Sequence, residues 1–106
     1  MREPTFLVLT ALVDGPRHGY GIIREVAALS DGRVKLLPGT LYAALDRLVA
    51  QGLVEHVRDE VADGRMRRYY RLTSAGLQVL TAEIARLRQL AGAAESRLRA
   101  LNPRHA

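Results

Sequence analysis

The sequence predicts a mainly α-helical fold with one small β-hairpin, and three observations support this fold class. Apolar residues recur at helical spacing in three successive segments before residue 55. Two β-rich runs with a turn signal between them follow, and from residue 74 a heptad pattern continues without a break. A chain of 106 residues has room for one modest core but not for two separate ones.

The first two predicted helices are short and amphipathic. In residues 4–13 the apolar side chains at helical spacing are Phe6, Leu9, Leu12 and Val13. In residues 20–29 they are Ile22, Ile23, Val26 and Leu29. Gly15-Pro16 closes the first segment and Ser30-Asp31-Gly32 closes the second, because these residue types favour turns over helix.

A third helix is predicted in the segment PGTLYAALDRLVAQGLV, residues 38–54. Pro38 fits the first turn, where no backbone donor is needed, and Thr40 is a natural N-terminal residue. Gly52 suits the left-handed position after a helix end. The apolar stripe of this helix is Leu41, Leu45, Leu48 and Val49. The opposite face carries small or polar residues, namely Gly39, Ala43, Asp46, Arg47 and Ala50.

The helical period then gives way to two β-rich runs, at residues 53–58 and 67–72. Ala62-Asp63-Gly64 between them is a turn signal, and the eight intervening residues predict a loose hairpin. Three helices followed by a β-hairpin is the plan of a winged helix-turn-helix. Residues 1–73 are therefore predicted to form such a domain.

The last predicted helix, residues 74–101, contains an unbroken heptad seam with alternating spacings of three and four residues. The seam positions are Leu77, Leu80, Ile84, Leu87, Ala91, Ala94, Leu98 and Leu101. Because so small a domain cannot bury a stripe of this length, we expect the helix to dimerise with a second copy of the chain. The alternative is a long amphipathic helix folded back on its own domain. Residues 102–106 are expected to form a short tail.

The charge balance points to a polyanionic partner. The chain has 16 Lys and Arg residues against 11 Asp and Glu, a net charge of +5. Such an excess favours association with nucleic acid, although a soluble surface with a slight excess of bases gives the same count.

Several other classes of protein are not expected. The chain has no cysteine, which excludes disulfides and thiol nucleophiles, and its three histidines are too scattered for a metal motif. No apolar run approaches the roughly 18 residues of a membrane span, so we expect a cytoplasmic protein without a membrane partner. We find no phosphate-binding glycine loop, no paired carboxylates and no Ser/His/Asp spacing, so we expect neither an enzyme nor a cofactor.

The front end of the third helix suits insertion into the major groove of double-stranded DNA. Its free N–H groups attract phosphate oxygens, and small side chains let the helix approach closely. Thr40 and Ala43 can contact thymine methyl groups, while Arg47 can reach a phosphate or a guanine. The alternative, that Pro-Gly-Thr only caps the helix, leaves the small residues of the outer face unexplained.

Three motifs together resemble the PadR family of transcriptional regulators: HGYGII at 18–23, PGTLYAALDRLVAQGLV at 38–54 and RRYYRLTSAG at 67–76. Their order and spacing are those of the family, over about residues 5–101. The resemblance implies a homodimeric winged-helix protein, usually a repressor, that binds a pseudo-palindromic operator and dimerises through its C-terminal helix. The chain is similar to the short-tailed subgroup, which has a single C-terminal helix. Some members release DNA when a small aromatic or drug-like effector binds, which makes such a ligand a candidate partner.

The wing departs from the family pattern. The segment before its tip contains acidic residues that phosphate would repel, namely Asp59, Glu60 and Asp63. Contacts with DNA are therefore expected from the arginines that follow. Arg65 is the first choice because it lies nearest the turn, Arg68 is the second, and Arg67 is expected to lie against its own domain.

The tyrosines allow two interpretations each. Tyr20 is a DNA contact by resemblance or a core residue, and Tyr42 lies at the edge of the apolar stripe. Tyr69 and Tyr70 must point to opposite sides of a strand, and Tyr70 is taken as the DNA contact. The full predicted DNA-binding set is Tyr20, Pro38, Gly39, Thr40, Tyr42, Ala43, Arg47, Arg65, Arg67, Arg68 and Tyr70.

A second function remains open at this point. A winged helix can bind protein partners through the same surface, in which case the basic charge is incidental. Salt separates the two functions, because phosphate-driven binding weakens linearly on a log–log plot as salt rises.

Overall fold

The computed structural model describes residues 1–101, and within that range the chain forms four α-helices and a three-stranded sheet. In chain order the elements are α1 (Glu3–Ala11), β1 (Arg17–His18), α2 (Gly19–Leu29), α3 (Pro38–Ala50), β2 (Val54–Ala62), β3 (Arg65–Leu72) and α4 (Ser74–Leu101). This architecture confirms the predicted mainly α fold with a winged helix-turn-helix and a long last helix. The predicted tail, residues 102–106, lies outside the described residues.

The core lies between the first three helices and the base of the hairpin. The largest fully buried side chains are Leu9, Leu12, Ile22, Leu41, Leu45, Val8, Val26 and Val54. Most of them belong to the apolar stripes that the sequence predicted. Val13 and Leu29 were predicted in the same stripes but are half exposed, because α1 ends at Ala11 and Leu29 is the last residue of α2.

The third helix begins at Pro38, with Leu37 as its N-cap residue in extended conformation. No side chain caps this end, so Thr40 lies in the first turn as expected but does not act as an N-cap. Proline at the first helical position has a backbone angle suited to helix and no N–H to satisfy. The amides of Gly39 and Thr40 precede the first intrahelical bond, which the N–H of Leu41 donates to the carbonyl of Leu37 at 3.0 Å.

The hairpin is longer and tighter than predicted. Antiparallel pairing of β2 with β3 continues to Ala62 opposite Arg65, which leaves a turn of two residues. Asp63 and Gly64 both have positive φ, 53° and 75°, which is typical of the type I′ turn that connects twisted strands. The predicted loose connection of eight residues is therefore wrong, and most of those residues extend the two strands.

A short strand that the sequence did not predict completes the sheet. The strand order is β1-β3-β2, and β1 pairs through Arg17 with Tyr70 and through His18 with Tyr69. Because β1 ends there, residues 65–68 of β3 have no strand beside them on that edge within the described chain. The projecting half of the hairpin is thus the wing.

The long helix α4 starts against the domain and then leaves it. The hydroxyl of Thr73 donates to the carbonyl of Gly52 at 2.7 Å and accepts from the N–H of Gly76 at 3.0 Å, so Thr73 caps the helix. A Cβ on Gly76 would overlap the carbonyl oxygen of Leu53, so this close contact requires glycine. From residue 84 to residue 101 every side chain of α4 is exposed, and the described chain measures 60 × 27 × 21 Å.

Candidate nucleic-acid interface

The outer face of α3 is open and nearly free of large side chains. Pro38, Gly39, Thr40 and Ala43 are exposed in its first turns, and Arg47 is exposed one turn further along. A Cβ on Gly39 would meet no atom within 4 Å, so the packing of the domain does not require glycine there. The arrangement leaves room for a partner to approach the helix backbone closely.

One flank of α3 faces α1. Arg2 and Thr5 line a shallow groove of about 130 Å³ together with Thr40, Ala44 and Arg47. The structure thus places Arg47 beside a second arginine, Arg2, that is not among the predicted DNA contacts. No local pattern could have indicated this pairing, because only the fold brings residue 2 to residue 47.

The other flank of α3 faces a recess between α2 and the wing, which we call the wing notch. Its lining residues are His18, Gly19, Tyr20, Tyr42, Arg65, Met66, Arg67 and Arg68, and its volume is about 70 Å³. Five of the predicted DNA contacts meet here: Tyr20, Tyr42, Arg65, Arg67 and Arg68. Tyr20 is 51% exposed, so the structure favours a surface position over the alternative core position.

Close packing of Tyr42 on Gly19 sets the distance between α2 and α3 at the notch. A Cβ on Gly19 would overlap the hydroxyl and the ring of Tyr42. Tyr42 is 40% exposed and was expected to be partly buried. Glycine at position 19 therefore allows this tyrosine to lie between the two helices with its hydroxyl at the notch.

His18 holds the start of α2. Its Nδ1 atom accepts from the N–H of Gly21 at 3.2 Å, which makes His18 the N-cap residue. The ring meets that of Tyr69 edge to face, with centroids 5.3 Å apart. Burial, followed by the charges of Arg67 and Arg24, lowers the pKa of His18, while Glu60 acts in the opposite direction. The imidazole of the free protein is therefore neutral near pH 7.

The arginines of the wing differ in how far their charge is compensated. The guanidinium of Arg67 lies against His18, with Nη1 2.9 Å from Nε2, as expected for an arginine directed at its own domain. Arg68 lies 3.6 Å from a carboxylate oxygen of Asp59. Arg65 has no ion pair among the described residues. Arg65 thus projects the least compensated charge near the tip.

The acidic residues of the wing are not in a loop. Asp59 and Glu60 belong to β2, where they lie opposite Arg68 and Arg67. The Glu60 carboxylate accepts from Arg58 at 2.6 Å, and this hydrogen bond lowers the pKa of Glu60. Repulsion of phosphate by these two carboxylates is therefore weaker than the sequence suggested.

Tyr70 does not lie on the candidate interface. Its side chain is 4% exposed in the core, where burial raises its pKa. Strand alternation places Tyr69 on the opposite face, where the guanidinium of Arg58 stacks 4.5 Å from the ring centroid. We therefore remove Tyr70 from the set of DNA contacts, because a side chain buried at the base of the hairpin cannot reach a partner.

The exposed face of α4 carries most of the heptad seam. Leu77, Ile84, Leu87, Leu98 and Leu101 are all more than one third exposed. Leu80 is an exception, because it is 5% exposed and belongs to the core of its own domain. We therefore remove Leu80 from the predicted interface between copies.

A groove of about 360 Å³ separates α1 from α4, and Phe6, Leu7, Glu83 and Leu87 are among its lining residues. The carboxylate of Glu83 accepts from Arg86 at 2.6 and 2.7 Å, and this hydrogen bonding lowers the pKa of Glu83. The groove thus has apolar walls with two acids in them, Glu83 and Glu3, and Glu3 is paired with Arg33 at 3.1 Å.

Residues 1–101 lack two other kinds of site, a metal centre and a membrane span. They contain no group of three or more His, Cys, Asp or Glu side chains that could hold a metal ion. In the same part of the chain, no helix has the length and apolar character needed to cross a bilayer.

A winged helix-turn-helix with an open third helix and a basic wing defines a class of DNA-binding transcriptional regulators. The profile of the PadR-like family of transcriptional regulators matches residues 8–82. The chain belongs to this family, and it is accordingly a regulator and not an enzyme.

Curated relatives support the same assignment. The chain is 40% identical over 84 residues to a transcriptional regulator of Mycobacterium tuberculosis, covering 79% of this chain and 75% of that protein. It is 43% identical over 90 residues to an uncharacterized 37.1 kDa protein in a transposon of Streptomyces fradiae. That match covers 85% of this chain but only 24% of the longer protein.

Solved structures show the same fold. A PadR family regulator from Eggerthella lenta is 31% identical, with a TM-score of 0.72 and coverage of 89% of this chain and 80% of that chain. PadR of Bacillus subtilis, solved in complex with operator DNA, gives a TM-score of 0.69 at 22% identity. It covers 79% of this chain and 48% of the Bacillus chain, and at this identity the likeness concerns the fold.

Proposed function

We propose that the protein is a homodimeric repressor that binds a pseudo-palindromic operator, with α3 of each subunit in the major groove. The observation that carries this proposal is the open face of α3, bordered on one side by the wing notch and on the other by Arg2 and Arg47. The small side chains of α3 would let the helix enter the major groove, and the basic residues on its two flanks would face the phosphates that border this groove.

The proposed DNA contacts divide into two groups. Groove contacts come from α3 through Pro38, Gly39, Thr40, Ala43 and Arg47. Backbone contacts come from the wing notch through Tyr20, Tyr42, Arg65, Arg67 and Arg68. The Bacillus protein, which has the same fold, was solved with operator DNA, and this supports DNA as the partner of the fold. Two-fold symmetry would place the two α3 helices in successive major grooves, roughly 34 Å apart.

Dimerisation is assigned to α4. We propose that residues 1–73 bind DNA and that residues 74–101 hold the two copies together. Exposed seam residues support this division, because the large apolar side chains of the row remain more than one third exposed within the described chain. The proposed interface comprises Leu77, Ile84, Leu87, Ala91, Ala94, Leu98 and Leu101.

A small aromatic or drug-like effector has a candidate place in the groove between α1 and α4. Its volume of about 360 Å³ is within the range of small-molecule sites, and Phe6 and Leu87 supply apolar walls. An effector there would release DNA if it binds better to the dimer geometry that does not fit the operator.

The experiment that tests this function is selection of genomic fragments with the purified protein, followed by footprinting and titration over a range of salt. We expect a protected site with two-fold symmetry and a log affinity that falls linearly with log salt. Retention of a partner protein, without any salt-sensitive binding to duplex DNA, would instead support the protein-interaction module.

The role of α3 is tested by Arg47→Ala. Specific binding should weaken by about 1–3 kcal/mol if this arginine contacts a base. If operator and random duplexes lose affinity equally, Arg47 contacts only phosphate.

A further inference from the structure

The wing notch contains hydrogen-bond donors that lack an acceptor. Nδ1 of His18 accepts from the N–H of Gly21, so the single proton of the neutral ring must be on Nε2. Nε2 lies 2.9 Å from Nη1 of Arg67, and a guanidinium can only donate. Two donors therefore face each other at hydrogen-bond distance.

No other state of the ring removes this conflict. Moving the proton to Nδ1 gives Arg67 an acceptor but turns an N–H towards the N–H of Gly21. A second proton makes both ring nitrogens donors, and burial together with the charges of Arg67 and Arg24 opposes that state. The N–H of Gly21, the ring N–H of His18 and the guanidinium of Arg67 are three donors, whereas the neutral ring offers a single lone pair as acceptor. The further acceptor that they need must come from outside the chain.

The surroundings of this pair favour an anionic acceptor. Three arginines, two tyrosines and His18 line the notch, and no carboxylate is among the lining residues. Glu60 is the acidic group that acts on His18, but its carboxylate already accepts from Arg58. A phosphate oxygen can accept from several donors at once, and charge-assisted bonds to arginine are strong.

We propose that the wing notch seats one phosphate of the DNA backbone, whose oxygen accepts from both Nε2–H of His18 and the guanidinium of Arg67. His18 then has two roles: Nδ1 caps α2, while Nε2 donates to DNA as a neutral group. This inference rests on the proposed function and adds the chemistry of one contact.

A phosphate bound in the wing notch would also fix the position of the DNA, in addition to strengthening the binding. The notch adjoins Tyr42 on α3, and Tyr42 packs on Gly19 at the start of α2. A phosphate held there fixes the backbone relative to the first turns of α3, which sets the base pairs that α3 can reach. Such contacts position a protein on the duplex without reading sequence.

His18→Asn tests the seat, because asparagine is a good N-cap residue but is too short to present a donor at the position of Nε2. We expect an unchanged thermal transition and about tenfold weaker binding to a duplex of roughly 30 base pairs and arbitrary sequence. The salt slope should stay the same, because a neutral donor displaces no counterion. Gln51→Asn, which alters an exposed neutral side chain outside the notch, is the control and should bind as the wild type does.

Arg67→Gln gives an independent result, since it leaves the Gly21 cap intact. It should weaken binding and also lower the salt slope by about 0.9 for each seat occupied. If the wild type binds the duplex and both variants match it in affinity and slope, the phosphate seat is excluded while the proposed function stands. If the wild type binds no duplex at low salt, the proposed function falls together with the seat.

Nitrogen-15 spectra of the His18 ring distinguish phosphate binding from a purely structural role, because a structural role alone would leave the ring resonances unchanged when DNA is added. The free ring already carries its proton on Nε2, so the duplex should keep that tautomer and shift the Nε2 resonance through the new hydrogen bond to phosphate; an Nε2 resonance that does not move would overturn the proposal. The same titration with sodium phosphate at equal phosphate concentration is the second arm. An equal response there would assign the notch to free phosphate rather than to DNA.

Discussion

Substitutions at two glycines of this domain should have different effects, because different atoms surround each glycine. Gly19 and Gly76 both lie where a helix meets another element, but the obstacle differs. At Gly19 an added Cβ meets the end of the Tyr42 side chain, which can rotate. At Gly76 it meets the backbone of Leu53, which cannot move without shifting β2. Equal substitutions should therefore affect the interface in one case and the fold in the other.

The neutral state of His18 predicts a pH dependence of stability. Because its folded pKa lies below the ordinary value of 6.5, the unfolded chain takes up a proton first as the pH falls. The contribution of His18 is therefore complete above about pH 6.5 and declines below it. Urea unfolding between pH 7.5 and 5.5 should show this loss, and His18→Asn should remove that part of it. An identical pH profile in the variant would contradict the assignment.

The charge of Arg65 predicts a change in salt dependence. Arg65→Ala should flatten the plot of log affinity against log salt by about 0.9 per engaged subunit, with little change in thermal stability. Asp63→Asn should tighten binding slightly at low salt, because it removes a negative charge and asparagine tolerates the positive φ of this position. Full retention of the slope by the arginine variant, with no effect of the asparagine one, would mean that the wing does not touch DNA.

Among the elements, those with local patterns were predicted well and those made by tertiary contacts were not. The four helices follow from apolar spacing and from signals such as Pro38. The strand β1 has two residues and exists because it pairs with Tyr69 and Tyr70. The outer half of β2 is charged on both faces and has no alternation of apolar and polar residues, so its sequence predicts a loop instead of a strand.

The candidate site shows the same division. The motif at the start of α3 predicted its open face, since the small residues there are contiguous in the sequence. The pair of His18 and Arg67 is separated by 49 residues, and hydrogen-bond geometry has no signature in residue order. Burial of Tyr70 and not Tyr69 depended on which face of β3 turns to the helices, and alternation alone leaves both possibilities open.

The start of α4 predicts a contrast between two glycines of one helix. Gly76→Ala should destabilise the domain by about 1–3 kcal/mol, because the added carbon forces apart α4 and the residues before β2. Gly92→Ala meets no atom within 4 Å and should stabilise the helix by about 0.5–1 kcal/mol. Thermal and urea unfolding of both variants check this, and a tolerated Gly76→Ala would show that the contact is loose.

At the scale of the whole molecule, the exposed apolar face of α4 accounts for the elongated form. The domain buries Leu80 in its own core and leaves the other large apolar side chains of the seam more than one third exposed. Two functions are therefore combined in one helix, since its beginning stabilises the domain and its remainder is free for assembly.

Ile84→Asp tests the assembly without disturbing the core, because Ile84 is exposed in the described chain. A carboxylate facing an apolar seam is buried without a partner in the dimer, so the variant should be monomeric and should lose operator binding. Light scattering gives the mass, and an unchanged thermal transition of the winged-helix domain by circular dichroism is the control. A variant that stays dimeric would place the interface elsewhere. Leu80→Asp is unsuitable, since it would unfold the domain.

Only Thr73 separates the last wing strand from α4, and its hydroxyl ties that junction to Gly52 behind α3. The proposed dimer helix and the proposed DNA-binding surface are thus joined through a single hydrogen-bonded residue. In a dimer built on α4, the crossing angle of the two helices would set the distance between the DNA half-sites that the two subunits can bind. An operator lengthened by half a helical turn would then bind weakly even though both half-sites were intact. The α3 helix of the second subunit could not reach its half-site.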